Sequence, residues 1–248
     1  YSVPIGGGVV TKLNGALVTG GDVQDFQISP DSSKVTYLAD QDTDNIYELY
    51  SVPIGGGSVT KLNGSMVLGG VVRSFEFSPD SLSVIYMADQ DTKGKMELFS
   101  VSSLGGTVSK LNSNLPSGGE IHSFKVTSDS SKVIYLADQE MDNLMELYST
   151  SLSGANQKKI SQITQSMSVL DYSLTENELL YRVYDYESQG MKLFHVSSDG
   201  SNHFILHKNT PLNRSITEIY PTSSDGNMCV FGSTDANAQR IDLFVARY

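Results

Sequence analysis

Ser29-Pro30-Asp31-Ser32-Ser33-Lys34-Val35-Thr36-Tyr37-Leu38-Ala39-Asp40-Gln41 has a near copy 49 residues on, Ser78-Pro79-Asp80-Ser81-Leu82-Ser83-Val84-Ile85-Tyr86-Met87-Ala88-Asp89-Gln90. A third copy runs from Thr127-Ser128-Asp129-Ser130 to Ala137-Asp138-Gln139, again 49 on, with the proline lost and the aspartate kept. Flanking stretches keep the same period. Tyr1-Ser2-Val3-Pro4-Ile5-Gly6-Gly7-Gly8 returns at Tyr50 to Gly57, and Val10-Thr11-Lys12-Leu13-Asn14 returns at Val59 to Asn63. Val108-Ser109-Lys110-Leu111-Asn112 is its third copy. Several markers holding one period define a repeat architecture before any single element is assigned.

Within a unit the apolar runs are short, β-branched or aromatic, and bounded by turn residues, which predicts strands. In the first unit they fall at residues 25–29, 34–39, 46–53 and 58–62. Pro30-Asp31-Ser32 forms a tight turn, residues 40–45 an acidic loop, and the glycines at 55 to 57 a second turn. No apolar period near 3.6 is present, which excludes a helical solenoid. Two drifted copies complete the pattern. Leu180-Tyr181-Arg182-Val183-Tyr184-Asp185 and Lys192-Leu193-Phe194 carry the fourth, Ser223-Ser224-Asp225-Gly226 and Ile241-Asp242-Leu243-Phe244 the fifth. The expectation is an all-β chain, one β-propeller domain over residues 1–248, of five four-stranded antiparallel blades. Its repeats run over about 9–57, 58–106, 107–155, 156–202 and 203–248.

Ser-Pro-Asp-Ser after an aromatic-containing strand, an apolar strand, then Glu-Leu-Tyr-Ser-Val-Pro and a Gly-rich turn resembles the TolB-like (WD40-like) propeller repeat. The resemblance is close in three repeats and loose in two. It implies that the Ser-Pro-Asp strand is innermost and the Val-Thr-Lys-Leu strand outermost. On that register residues 9–13 complete the last blade and close the ring, while residues 1–5 duplicate a third-strand role already filled at residues 241–245. The surplus admits a loose tail or a segment of a larger propeller. For function the resemblance says little, since propellers serve as scaffolds, lectins and enzymes alike.

Composition narrows the partners. Against 17 basic residues stand 28 acidic ones, a formal charge of −11, which repels nucleic-acid phosphates. No apolar run approaches the roughly 18 residues of a spanning helix, so no membrane insertion is expected. Cys229 is the single cysteine, which excludes an internal disulfide, and its apolar surroundings suit a small buried hydrophobe. A start at tyrosine, with no initiator methionine or signal peptide, reads as a mature product or excised segment, and an extracytoplasmic location is expected.

Two sets of candidate site residues emerge. Asp40, Asp42 and Asp44 alternate and are followed by Glu48; Asp138, Glu140 and Asp142 are followed by Glu146. Alternating carboxylates around a sharp turn are arranged to converge on Ca2+, the one cofactor suggested. The competing reading is that aspartate and asparagine simply build polar turns. Lys93 breaks the pattern in the second repeat. Gln24, Arg73, His122, Leu170 and Glu218 occupy matching columns at the start of the inner strands, placing Gln24, Arg73, His122 and Glu218 at a channel mouth as ligand contacts or as solvated rim. His195, His203 and His207 lack metal-ligand spacing and read as polar surface positions on strands.

No catalytic motif is present: there is no Gly-x-Ser-x-Gly, no phosphate-cradling loop before a helix, and no His-Glu-x-x-His. The expected function is a non-catalytic scaffold or protein-binding module working through the acidic loop face, where longer loops gather. The alternatives are a carbohydrate-binding propeller and the propeller part of a larger extracytoplasmic enzyme. Tyr37, Tyr86 and Tyr135 recur as sugar platforms would, yet their strand positions favour packing, and tryptophan is absent.

Overall fold

Val35-Thr36-Tyr37-Leu38-Ala39 and its copies are apolar on both faces, a composition that suits a strand covered on both sides. The computed structural model of the chain builds them so. It describes residues 1–207 and, beyond them, the backbone of three strands at residues 214–220, 228–235 and 240–247. Among the described residues all the regular elements are strands.

The chain divides into two compact units. The first comprises residues 1–112 and 151–155. It holds a sheet of β1 (Val23–Ile28), β2 (Lys34–Ala39), β3 (Glu48–Pro53) and β4 (Thr60–Lys61), and a second of β5 (Val72–Phe77), β6 (Ser83–Ala88), β7 (Glu97–Ser102) and β8 (Ser109–Lys110). The second unit comprises residues 113–150 and 156–248. Its first sheet is β9 (Ile121–Val126), β10 (Lys132–Ala137), β11 (Glu146–Ser151) and β12 (Lys158–Lys159). Next come β13 (Met167–Thr175), β14 (Glu178–Asp185), β15 (Gly190–Ser197) and β16 (Phe204–His207), then β17 (Arg214–Tyr220), β18 (Met228–Asp235) and β19 (Arg240–Arg247). In each sheet the strands follow in sequence order, as in an antiparallel meander.

Five four-stranded blades were expected; among the described residues there are four such sheets and a fifth of three strands. Thr11, in the segment expected to complete the last blade, pairs instead with Ser2. Ser2 N donates to Thr11 O and Thr11 N to Ser2 O, both at 2.8 Å, so this residue pair has already exchanged both of its backbone bonds. The outer strands β4, β8 and β12 are only two residues long.

The core of each four-stranded sheet lies on its second and third strands. Tyr37 stacks on Tyr50, Tyr86 on Phe99, Tyr135 on Tyr148 and Tyr181 on Phe194, with ring centroids 5.1 to 5.4 Å apart. These are buried cross-strand pairs, which stabilise a sheet beyond the area they bury. The recurrent tyrosines are therefore packing residues and present no open ring to a sugar.

The Ser-Pro-Asp-Ser turn is held by its aspartate. Asp31 accepts from Ser29 Oγ at 2.6 Å, Ser33 N at 3.0 Å and Ser33 Oγ at 2.9 Å, while Ser32 takes a left-handed φ of 58°. Thr127 Oγ1 and Ser131 N make the same bonds to Asp129, at 2.7 and 2.9 Å. This is why the third copy tolerates loss of proline but keeps the acid. The hydrogen bond from Ser29, then those from Ser33, hold the Asp31 carboxyl down to about 2.

Candidate functional site

The acidic loops begin where β2, β6 and β10 end, in Ala-Asp-Gln. Asp40 accepts from Asp22 N at 2.5 Å and Asn45 N at 2.9 Å. Asp89 accepts from Val71 N and Gly94 N at 2.6 and 2.8 Å, and Asp138 from Glu120 N and Asn143 N at 2.7 and 3.0 Å. Each carboxylate thus ties the incoming chain to its own loop. Asn45, Gly94 and Asn143 close these loops with φ of 63°, 79° and 64°, a conformation that asparagine and glycine take most readily. The backbone bonds from Asp22 and Asn45 hold the Asp40 carboxyl below its ordinary range.

Two further acids of each loop meet a lysine. Lys61 Nζ lies 2.7 Å from Asp42 Oδ2 and 2.7 Å from Glu48 Oε2, and the equivalent Lys159 lies 2.7 Å from Glu140 and 3.1 Å from Glu146. Lys110 repeats the arrangement with Asp91 and Glu97. Burial, which disfavours the Lys61 charge, is outweighed by its bonds to Asp42 and Glu48, so its pKa rises. Asp44 and Asp142 stay exposed at the loop tips. Among the described residues no three acidic, histidine or cysteine side chains gather as a metal site. A hard cation wants roughly six or more oxygens. Here an ammonium stands between the acids, so the donor set does not fit calcium.

The inner-strand column has a cause that alternation alone did not reveal. Val23 pairs with Ala39 and Asp25 with Leu38, which leaves Gln24 as the extra residue of a β-bulge. Arg73, His122 and Leu170 are bulged in the same way. In the last sheet Ile216 pairs with Ser233 and Glu218 with Gly232, so the bulge residue is Thr217 and the matching column is one position earlier than Glu218. The Glu218 side chain lies outside the described residues, as does that of Cys229. Gln24, Arg73, His122 and Leu170 are all exposed, beside the acidic loop of their own sheet; His122 Nε2 is 3.7 Å from Asp138 Oδ1. Bulges re-aim a side chain and recur at functional edges.

In the third repeat the loop also borders a cavity of about 290 Å3, with Met141, Leu144 and Ile163 as apolar lining and Glu140, Lys159 and Thr164 as polar lining. Met141 is 47% exposed, and the matching position in the first two repeats is threonine. Sequence reading passed over it, although that break in the repeat was its signal. Two of the three histidines depart from expectation, while His207 lies on β16. His195 is buried and stacked on Phe204, and His203 faces the Tyr181 hydroxyl at 2.5 Å, where burial lowers its pKa.

No family model and no curated protein matches the chain. Solved structures do. A protein described as TolB from Agrobacterium tumefaciens aligns over 91% of this chain and 75% of its own, at 13% identity and a TM-score of 0.50. Oligopeptidase B from Leishmania major aligns over 92% of this chain at 13% identity and a TM-score of 0.61. Dipeptidyl peptidase 4 from Porphyromonas gingivalis aligns over 90% at 11% identity and a TM-score of 0.70. The chain spans 31% and 37% of those two peptidases. At such identities the likeness is one of fold, and the fold is that of a TolB-like β-propeller.

Proposed function

We propose that the chain is a non-catalytic propeller module that holds a protein partner at the acidic-loop end of its blades. The bulge column carries the reading. Repeats that otherwise copy one another place glutamine, arginine, histidine and leucine at one outward-aimed position. A surface serving solubility alone has no need of a bulge in every sheet. The cleft beside Met141 offers an apolar seat rimmed by acids, and the net charge of −11 favours a basic partner. The expected setting is extracytoplasmic.

Asp40 and Asp138 hold their own loops, so substitutions there would disturb the loop itself. The test is a panel of basic peptides carrying one apolar side chain, scored on the native protein and on Arg73→Ala, His122→Ala and Met141→Ser. Selective binding weakened about tenfold or more by one of these changes supports the module. Binding equal in all four proteins, or none, refutes it.

The likeness to two peptidases favours a second reading, in which the chain is the propeller portion of a larger enzyme. The complete coding sequence decides: a hydrolase domain in the same polypeptide supports it, and its absence removes it.

A further inference from the structure

Residues 1–13 repeat residues 50–62 in geometry as well as in sequence. The Ser2–Thr11 bridge is the counterpart of the Ser51–Thr60 pair, and Gly7 N donates to Pro4 O as Gly56 N does to Pro53 O, both at 2.8 Å. Gly7 and Gly56 share φ values of 84° and 85°. The segment is thus built as the outer hairpin of a blade, third strand and fourth.

It also sits where such a hairpin belongs. Leu62 joins Leu38 and Leu49 in covering the Phe75, Phe77 and Tyr86 face of the second sheet. Leu13, the counterpart of Leu62, packs on the matching face of the first sheet, against Val35, Tyr37 and Tyr50. Among the described residues no side chain takes the places of Leu38 and Leu49 in that cluster. The consequence shows in β1: Val23, Phe26 and Ile28 are 39%, 64% and 54% exposed, whereas Val72, Phe75 and Phe77 are 2%, 5% and 5%. A cavity of about 650 Å3, bordered by Leu13, Phe26, Ile28 and Tyr37, occupies the uncovered part. Lys12, the counterpart of Lys61, makes no ion pair among the described residues, while Lys61 holds two carboxylates of its own blade.

We propose that the Val23, Phe26 and Ile28 face is a blade-docking surface, and that its occupant is the inner three-strand portion of a further repeat of this kind, running on into the Ser2 strand. That portion supplies two leucines for the uncovered face and two carboxylates for Lys12. Scattered exposed side chains require no partner, but a contiguous apolar face whose copy one repeat on is sealed does.

The experiment places a copy of residues 14–49 directly ahead of Tyr1, so that its Leu49 joins Tyr1 as Leu49 joins Tyr50 in the native chain. Phe26→Trp provides the only indole in the protein, and Ile28→Trp is a second probe should the first perturb folding. On extension, the emission should move to shorter wavelength and acrylamide quenching should fall several-fold, with a higher melting midpoint. An extension whose own leucines at 38 and 49 are changed to aspartate should restore none of this. An indole equally exposed with and without the extension overturns the proposal. So does an indole already shielded in the unextended chain, whether size-exclusion shows a monomer or a self-associated species.

Discussion

The Tyr86 hydroxyl donates to Gln90 Oε1 at 2.9 Å, and the same oxygen accepts the Gly64 N–H at 2.9 Å. Tyr37, Gln41 and Gly15 repeat the arrangement, and Tyr135, Gln139 and Ser113 repeat it again. In these three sheets one glutamine oxygen thereby joins the aromatic stack to the segment that enters the blade. Tyr86→Phe removes one donor and should cost about 1 kcal/mol. Gln90→Leu leaves the buried Tyr86 hydroxyl without its acceptor and the Gly64 N–H with only its longer bond to that hydroxyl, at 3.3 Å, and should cost about 2 kcal/mol. Urea unfolding of both and of the double variant measures the coupling. Strictly additive losses would contradict a shared acceptor.

Acid should attack the Ser-Pro-Asp turns early. The folded Asp31 carboxyl sits at about 2, below its unfolded value of about 3.9. A depressed carboxyl contributes stability that is full above the unfolded value and is lost as pH falls through the folded one. Stability should therefore drop between about pH 4 and pH 2, and Asp31→Asn should flatten that limb. Carboxyl NMR of Asp31 titrating near 4 would refute the assignment.

Lys61 holds Asp42, whose carboxyl its hydrogen bond lowers, while its own pKa is raised. Asp42 contributes above about pH 4 and Lys61 below about pH 10, so their joint contribution is complete only between those limits. Lys61→Met should cost about 1–2 kcal/mol there, discounted for the partial exposure of the lysine, chiefly by stranding the buried Glu48 carboxylate. The gap between native and variant should narrow as the pH falls below the ordinary carboxylate range and as it rises above the ordinary lysine range. A gap independent of pH would show that the lysine acts through packing alone.

Calcium at millimolar concentration should leave the native melting midpoint unchanged, because the lysines already neutralise the acids it would need. Mass action would raise the midpoint if the ion displaced them. A reproducible upward shift, absent with magnesium, would mean that the loops exchange lysine for calcium.

How far the sequence reaches is set by what each pattern can encode. Residues 34–39 were expected as a strand and form β2 with those bounds, since an apolar run between two turns has few alternatives. The outer strand, expected at residues 58–62, shrinks to Thr60–Lys61 because only Tyr50 and Ser51 pair with it. The bulge at Gln24 was seen as a column but not as a bulge, since one inserted residue looks like drift in alternation. Asp40, Asp42 and Glu48 were grouped by spacing, yet Lys61, which pairs with Asp42 and Glu48, comes from another strand, and Asp40 serves its own loop instead. The Lys of every Val-Thr-Lys-Leu copy, recurring with the Glu of every Glu-Leu-Tyr, was the available clue.

Phe26 and Phe75 carry the last prediction, because they hold one position in consecutive repeats and differ only in what covers them. Phe75 lies in the core between two sheets, and Phe75→Ala should cost about 3–5 kcal/mol. Phe26 is 64% exposed, and Phe26→Ala should cost under about 0.5 kcal/mol in the same unfolding experiment. Equal losses would mean that Phe26 is covered in solution. Unequal ones make cover, and not residue type or strand position, the source of the energy that this repeat gains from its aromatic side chains.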